Sequence, residues 1–164
     1  RFSEALFQAK ELGFTEPDPR DDLSGADVAR KAIILARIIG LKIELSDIKL
    51  EKLYKKDMEN LSIDEFLKTV NQMDDDYEKR FEEEKNNGKT IRFIANISSN
   101  GCKVGMESVA KDSDLGSLKG PDNMIVFKTR RYFDHPLVIK GPGAGPEVTA
   151  SGVFADILKA VKIL

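Results

Sequence analysis

From Thr90 onward the apolar residues fall at every second position: Ile91, Phe93, Ala95 and Ile97, then Val104 and Met106 beyond Asn100-Gly101. A period of two puts one set of side chains on one face of an extended strand. Two such runs joined by Asn-Gly read as an antiparallel hairpin, because that pair tolerates the positive φ angles of a type I′ turn. Whatever else this chain forms, it contains a two-stranded ribbon with one apolar face.

Before the hairpin the spacing is helical. Ala5, Leu6, Ala9 and Leu12 mark an amphipathic helix over 3–12, with Gly13 placed as its stop. A second helix is expected from Ser24, capped by that hydroxyl with Asp27 as the reciprocal acid, and running to Gly40. Its run Val28, Ala29, Ala32, Ile33, Ile34, Leu35, Ala36, Ile38 and Ile39 is apolar enough to predict a mostly buried helix. Residues 41–60 mix charge with short apolar alternation and carry no assignment. Ser62-Ile-Asp-Glu announces a capped helix to about Met73, and 74–87 reads as a charged, solvated helix ending at Gly88. Short strands follow over 123–129 and 137–140, separated by the turn-like Asp134-His135-Pro136, and a helix over about 147–164 follows Gly141-Pro142-Gly143-Ala144-Gly145-Pro146. Helices grouped before and around antiparallel strands predict an α+β fold with a mixed, largely antiparallel sheet and helices on one face.

Composition removes several function classes. With 164 residues, one domain is the default. A net charge of −2, from 26 basic and 28 acidic residues, gives no field drawing the chain to nucleic acid or to an anionic membrane. No apolar stretch reaches the roughly 18–20 residues of a membrane span, and the N-terminus lacks a signal-peptide layout. The single cysteine, Cys102, excludes an intrachain disulfide framework, fits a reducing, cytoplasmic compartment and has no adjacent base to make it a nucleophile. His135 has no companions for a metal site. The chain opens at Arg1 inside a helical pattern, without an initiator Met, which suggests a piece of something longer.

The residues that point to chemistry lie between Gly13 and Lys31. From Glu16 to Asp22 four carboxylates (Glu16, Asp18, Asp21, Asp22) face one cation, Arg20, while Pro17 and Pro19 stiffen the backbone. Carboxylates on a stiff loop meet a cation with little ordering cost. A divalent metal is disfavoured, because the acids alternate with prolines and lack the EF-hand spacing. Asp27 and Lys31, spaced i and i+4, share one helix face. On spacing alone they are a surface ion pair. Beside an apolar stretch and an acidic loop, Lys31 can also exchange a proton with a substrate hydroxyl. The loop 141–145 permits close backbone approach before a helix N-terminus, but its glycines do not have the dinucleotide-fingerprint spacing.

The segments 13–31 (GFTEPDPRDDLSGADVARK) and 141–156 (GPGAGPEVTASGVFAD) resemble homoserine dehydrogenase. The resemblance extends over about 1–48 and 89–164, with the charged middle only loosely similar. It implies the substrate-binding and dimerisation region of an enzyme that interconverts homoserine and aspartate semialdehyde with NAD or NADP. Glu16 would bind the homoserine ammonium, Asp22 and Asp27 would complete the polar pocket, and Lys31 would exchange the hydroxyl or carbonyl proton. Gly13 and Gly145 match positions that approach the cofactor. Phe14 stands where the family commonly has Tyr, so any role of that phenol is lost. The nucleotide-binding Rossmann part is absent from these residues, so the C-terminal helix is expected to return toward it and the chain alone to be inactive. A non-catalytic amino-acid-binding or dimerisation module is the alternative.

Overall fold

Helix α1 (Phe2–Glu11) ends where Gly13 takes a left-handed φ of +72°. The Gly13 N–H bonds the Lys10 carbonyl and the Phe14 N–H the Ala9 carbonyl, the paired closure of a Schellman turn. The computed structural model describes residues 1–120, 122–143 and 145–162. It separates into two compact units, Arg1–Ala110 and Lys111–Leu164.

In the first unit, residues read as a stiff loop form a short helix, α2 (Pro19–Leu23). Asp18 is its N-cap, accepting from the Arg20 N–H at 3.0 Å, and Pro19 fills the first helical position, where a missing N–H costs nothing. Helix α3 (Ala26–Ile38) starts one residue later than a Ser24 cap would place it, with Gly25 in the cap position instead. Ser24 closes α2 instead: its hydroxyl donates to the Asp21 carbonyl and accepts from the Ala26 N–H, so no Ser24–Asp27 box forms. The reason is steric. Gly25 sits at φ +71° between the two helices, and an added Cβ there would lie 2.6 Å from Phe93 Cζ, so the crossing needs glycine.

The hairpin is present as β2 (Lys89–Ser98) and β3 (Gly101–Ala110). Its turn is not type I′. The register pairs Ser98 with Gly101, leaving Ser99 and Asn100 as the connection, and among the described residues only glycines have positive φ. Gly101, at φ +121°, supplies the unusual backbone angle, so neither loop residue needs one. A two-residue strand, β1 (Lys49–Leu50), adds parallel to β3, giving the order β1-β3-β2.

The apolar face of the hairpin is covered by α3. Ala29, Ala32 and Ile33 pack with Ile48, Cys102 and Val104, flanked by Phe93, Ala95 and Ile97. Small alanines let the helix axis come close to the strands. Only that stripe is buried: Ile34, Ile38 and Ile39 are exposed, so α3 is not the mostly buried helix its apolar content predicts. One face of a helix can pack on a single sheet, and the remaining apolar side chains point away from it. Cys102 is buried, and burial pushes its thiol pKa up, away from nucleophilic use.

A second core joins α1, α2 and the middle of the chain through Leu6, Leu23, Met58, Phe66, Val70 and Met73. Ser62 caps α4 (Ile63–Thr69) in a reciprocal box with Glu65, and a 3-10 turn over Val70–Met73 leads into α5 (Asp74–Asn86). Most of α5 is solvated, but Asp74 is buried and receives the Ser3 N–H at 2.8 Å and the Ser3 hydroxyl at 2.6 Å. Burial, the largest single effect, would raise that carboxyl; the two Ser3 bonds and the nearby Arg1 charge together outweigh it and hold the pKa below the ordinary value.

In the second unit β4 (Asp122–Phe127) pairs antiparallel with β5 (Leu137–Pro142), and α6 runs over Pro146–Val161. Helix α6 exposes Val148, Val153, Phe154, Ile157, Leu158 and Val161. Residues 121, 144, 163 and 164 lie outside the described set, and with them Ala144 of the expected glycine loop and the last two positions of the expected helix. The chain is α+β, with small, mostly antiparallel sheets.

Candidate active site

Four of the six residues singled out for the site stand on α2, on α3 or on the turn before them. After Gly13 reverses the chain, Glu16 is held by its main chain: its N–H donates to Asp22 Oδ2 at 2.8 Å, so the two acids are brought together across the start of α2. The Glu16 carboxylate itself is exposed and takes no hydrogen bond or ion pair among the described residues. Asp18 is differently placed. Its carboxylate is bound by Arg20 through Nε and Nη2, at 2.6–3.1 Å, and the Arg20 side-chain hydrogen bond pulls the carboxyl pKa down. Arg20 therefore neutralises Asp18, and the acids free to meet a cation are Glu16, Asp21 and Asp22.

One turn into α3, Lys31 Nζ meets Asp27 Oδ2 at 2.8 Å. Their side chains are 64% and 69% exposed. Lys31 is not covered within the unit: Ala29, Ala32 and Ile33 lie on the sheet-facing stripe, while Ile34 and Ile38, on the same helix face as Lys31, are themselves exposed. The pair presents an ammonium and a carboxylate to whatever docks on that face.

Gly13 and Gly145 both have backbone angles that favour glycine, at φ +72° and +126°, and a Cβ at either would meet nothing within 4 Å. Their glycine identity thus follows from conformation, and the space beside each is open. Gly145 belongs to the second unit, as the N-cap of α6. His135 is exposed, and no cluster of metal-ligating side chains occurs among the described residues.

Two features escaped the sequence reading. The Thr15 hydroxyl oxygen, between Phe14 and Glu16, is buried without a hydrogen-bond partner among the described residues. Arg20 is the second: its Nη1 reaches the carbonyls of Met58, Glu59 and Leu61 at 3.2, 3.0 and 2.6 Å, and its guanidinium lies 5.4 Å from the centre of the Phe66 ring. Asp-Pro followed by two acids is a helix-start pattern that could have revealed α2, but nothing local in the sequence points to the Arg20 acceptors.

The family model for homoserine dehydrogenase matches residues 1–158, the charged middle included. The chain is 45% identical to a bifunctional aspartokinase/homoserine dehydrogenase of Arabidopsis thaliana, over 99% of this chain and 18% of that protein. It is 42% identical to a homoserine dehydrogenase of Emericella nidulans, over 100% of this chain and 47% of that protein. The chain thus spans less than half the length of either relative. Among solved structures, a Candida auris protein of unknown function superposes with a TM-score of 0.91 at 41% identity, covering 98% of this chain and 46% of that one. The S. aureus homoserine dehydrogenase superposes at 0.73 with 26% identity, over 99% of this chain and 37% of that one. No described helix is long and apolar enough to cross a membrane. With a family match running through both units and through the whole stretch that holds Glu16, Asp22, Asp27 and Lys31, the chain belongs to the homoserine dehydrogenase family.

Proposed function

We propose that this chain supplies the substrate-binding and proton-transfer part of an NAD- or NADP-dependent homoserine dehydrogenase, interconverting L-homoserine and L-aspartate 4-semialdehyde on the route to threonine, methionine and isoleucine. The observation that carries this reading is the arrangement in 13–31: a free Glu16 carboxylate anchored through its main chain to Asp22, followed by the Asp27–Lys31 pair. Glu16 and Asp22 offer negative charge to the substrate ammonium. Asp27 orients Lys31 and contributes to the pocket. Lys31 exchanges the substrate proton, from the hydroxyl when homoserine is oxidised and to the carbonyl oxygen when the aldehyde is reduced.

The resemblance assigns Gly13 and, separately, Gly145 to the approach of the nicotinamide nucleotide, and each has open space beside its own backbone. The residues that hold its phosphates lie elsewhere in the enzyme, because 141–145 lacks the dinucleotide spacing. Bound NAD or NADP supplies the hydride acceptor. We place the nucleotide-binding domain against the apolar side of α6, and a second copy of the chain as the partner in a dimer. The region 1–164 then acts as one catalytic and dimerisation region, in a cytoplasmic enzyme.

A charge-bearing hydrogen bond is worth about 1.5–3 kcal/mol, so in the full-length enzyme Glu16→Gln should raise the homoserine KM roughly ten- to a hundredfold. Steady-state kinetics with varied homoserine and saturating nucleotide check this. An unchanged KM would remove Glu16 from the ammonium site.

A further inference from the structure

We infer that Arg20 is a positioning residue for the substrate-binding loop, acting through Asp18 and α2 on Glu16 and Asp22; this rests on the function proposed above. Its side chain is only 14% exposed and reaches in two directions at once. On one side Nε and Nη2 grip the Asp18 carboxylate, whose Oδ1 also caps α2 by accepting the Arg20 N–H. On the other side Nη1 is shared among three carbonyls, those of Met58, Glu59 and Leu61. A planar fork of donors can do both; a lysine ammonium is a single point and cannot.

The consequence is mechanical. The carbonyls of 58–61 belong to the segment that enters α4 and the second core, where Met58 and Phe66 are buried. Arg20 thus fastens the start of α2 to a packed part of the unit. Leu23, at the far end of α2, is buried and accepts the Leu53 N–H through its carbonyl, a second point of attachment. Between these points lies Asp22, which holds the Glu16 main chain at 2.8 Å. Neither Glu16 nor Asp22 is buried, so their relative placement depends on α2 being held from behind. The charge of Arg20 is met by Asp18, which keeps it from competing with a substrate ammonium for the free acids.

The test is Arg20→Lys in the full-length enzyme, with two readouts. One is amide hydrogen exchange at Glu16 set against the β2–β3 ladder; the other is the KM for homoserine set against the KM for the nucleotide. The expected result is faster exchange at Glu16 with the ladder unchanged, and a homoserine KM raised roughly tenfold or more, since small misplacements at reacting sites are costly. The nucleotide KM should stay within about twofold, because Gly13 is fixed by its hydrogen bonds to the end of α1 and not by α2. A purely structural role would speed exchange across the ladder and leave the homoserine KM of the folded enzyme alone, and that outcome overturns the inference. Unaltered Glu16 exchange overturns it as well. Should Arg20→Lys not fold, Asp18→Asn keeps a good N-cap and removes the carboxylate, and the same two readouts decide. Faster Glu16 exchange in an enzyme whose wild type fails to oxidise homoserine would instead strike the proposed function, leaving the loop's anchorage in place.

Discussion

Replacing Lys31 by Ala in the full-length enzyme should lower kcat by about a hundredfold to ten-thousandfold, the range general acid–base groups supply, while the protein folds almost as before. The two halves of that expectation come from different magnitudes. Lys31 is exposed, and its partner Asp27 is four residues away on the same exposed helix face. Pairs of this kind contribute about 0.3–0.5 kcal/mol, within the margin of a domain stable by about 5–15 kcal/mol. Its ammonium packs against nothing in either core, so no cavity follows its loss. Turnover measured by nucleotide absorbance, with urea unfolding on the same samples, separates the effects. Retained turnover would show that Lys31 is only an ion-pair partner and that its proton-transfer role is wrong.

The opposite pattern is expected at Phe66. Phe66→Ala should destabilise the protein by about 3–5 kcal/mol, enough to bring it near its unfolding limit at moderate temperature. The ring is fully buried among Leu6, Leu23, Met58, Val70 and Met73. Tyr54 meets it edge-on, with centroids 5.9 Å apart, and the Arg20 guanidinium lies over it. Truncation leaves a cavity beneath the residue that fastens α2, so the remaining folded fraction should also bind homoserine less well. Urea titration checks the first effect. A loss under about 1 kcal/mol would mean that the surrounding side chains collapse into the space, which close-packed cores rarely allow.

What could be read from the sequence is what depends on near neighbours along the chain. The hairpin is legible because Phe93, Ala95, Ile97 and Val104 alternate, and that alternation is the face α3 covers. The stops at Gly13 and Gly40 are legible because a Schellman turn needs a left-handed residue. Asp27 and Lys31 are legible because helical spacing alone brings them together. The losses are of another kind. Helix α2 is five residues long, too short for a periodic pattern, so its prolines and acids read as a loop. Ser24 is a good cap by type and so predicts too early a start for α3, whereas the crossing against Phe93 decides in favour of Gly25. The exposed side of α3 could not be foreseen, since an apolar residue does not say which surface will cover it. Strand β1, two residues long, exists only through its pairing with Lys103 and Val104. In the sequence Arg20 is only one charge among four acids, because three of its acceptors are backbone carbonyls 38–41 residues further on. The roles of Glu16, Asp22, Gly13 and Gly145 are implied only by the family resemblance, since spacing does not distinguish them from other loop acids and turn glycines.

The central claim, that this chain carries half of a composite dehydrogenase site, is tested most directly by mixing it with a separately prepared nucleotide-binding half, each shown to be folded by circular dichroism. Homoserine binding is followed by calorimetry, and formation of reduced nucleotide by absorbance. The account predicts homoserine-dependent reduction in the mixture and none with either half alone. Tight homoserine binding by this chain alone, with no reduction in a mixture of folded and associated halves, would contradict it and identify an amino-acid-binding module instead.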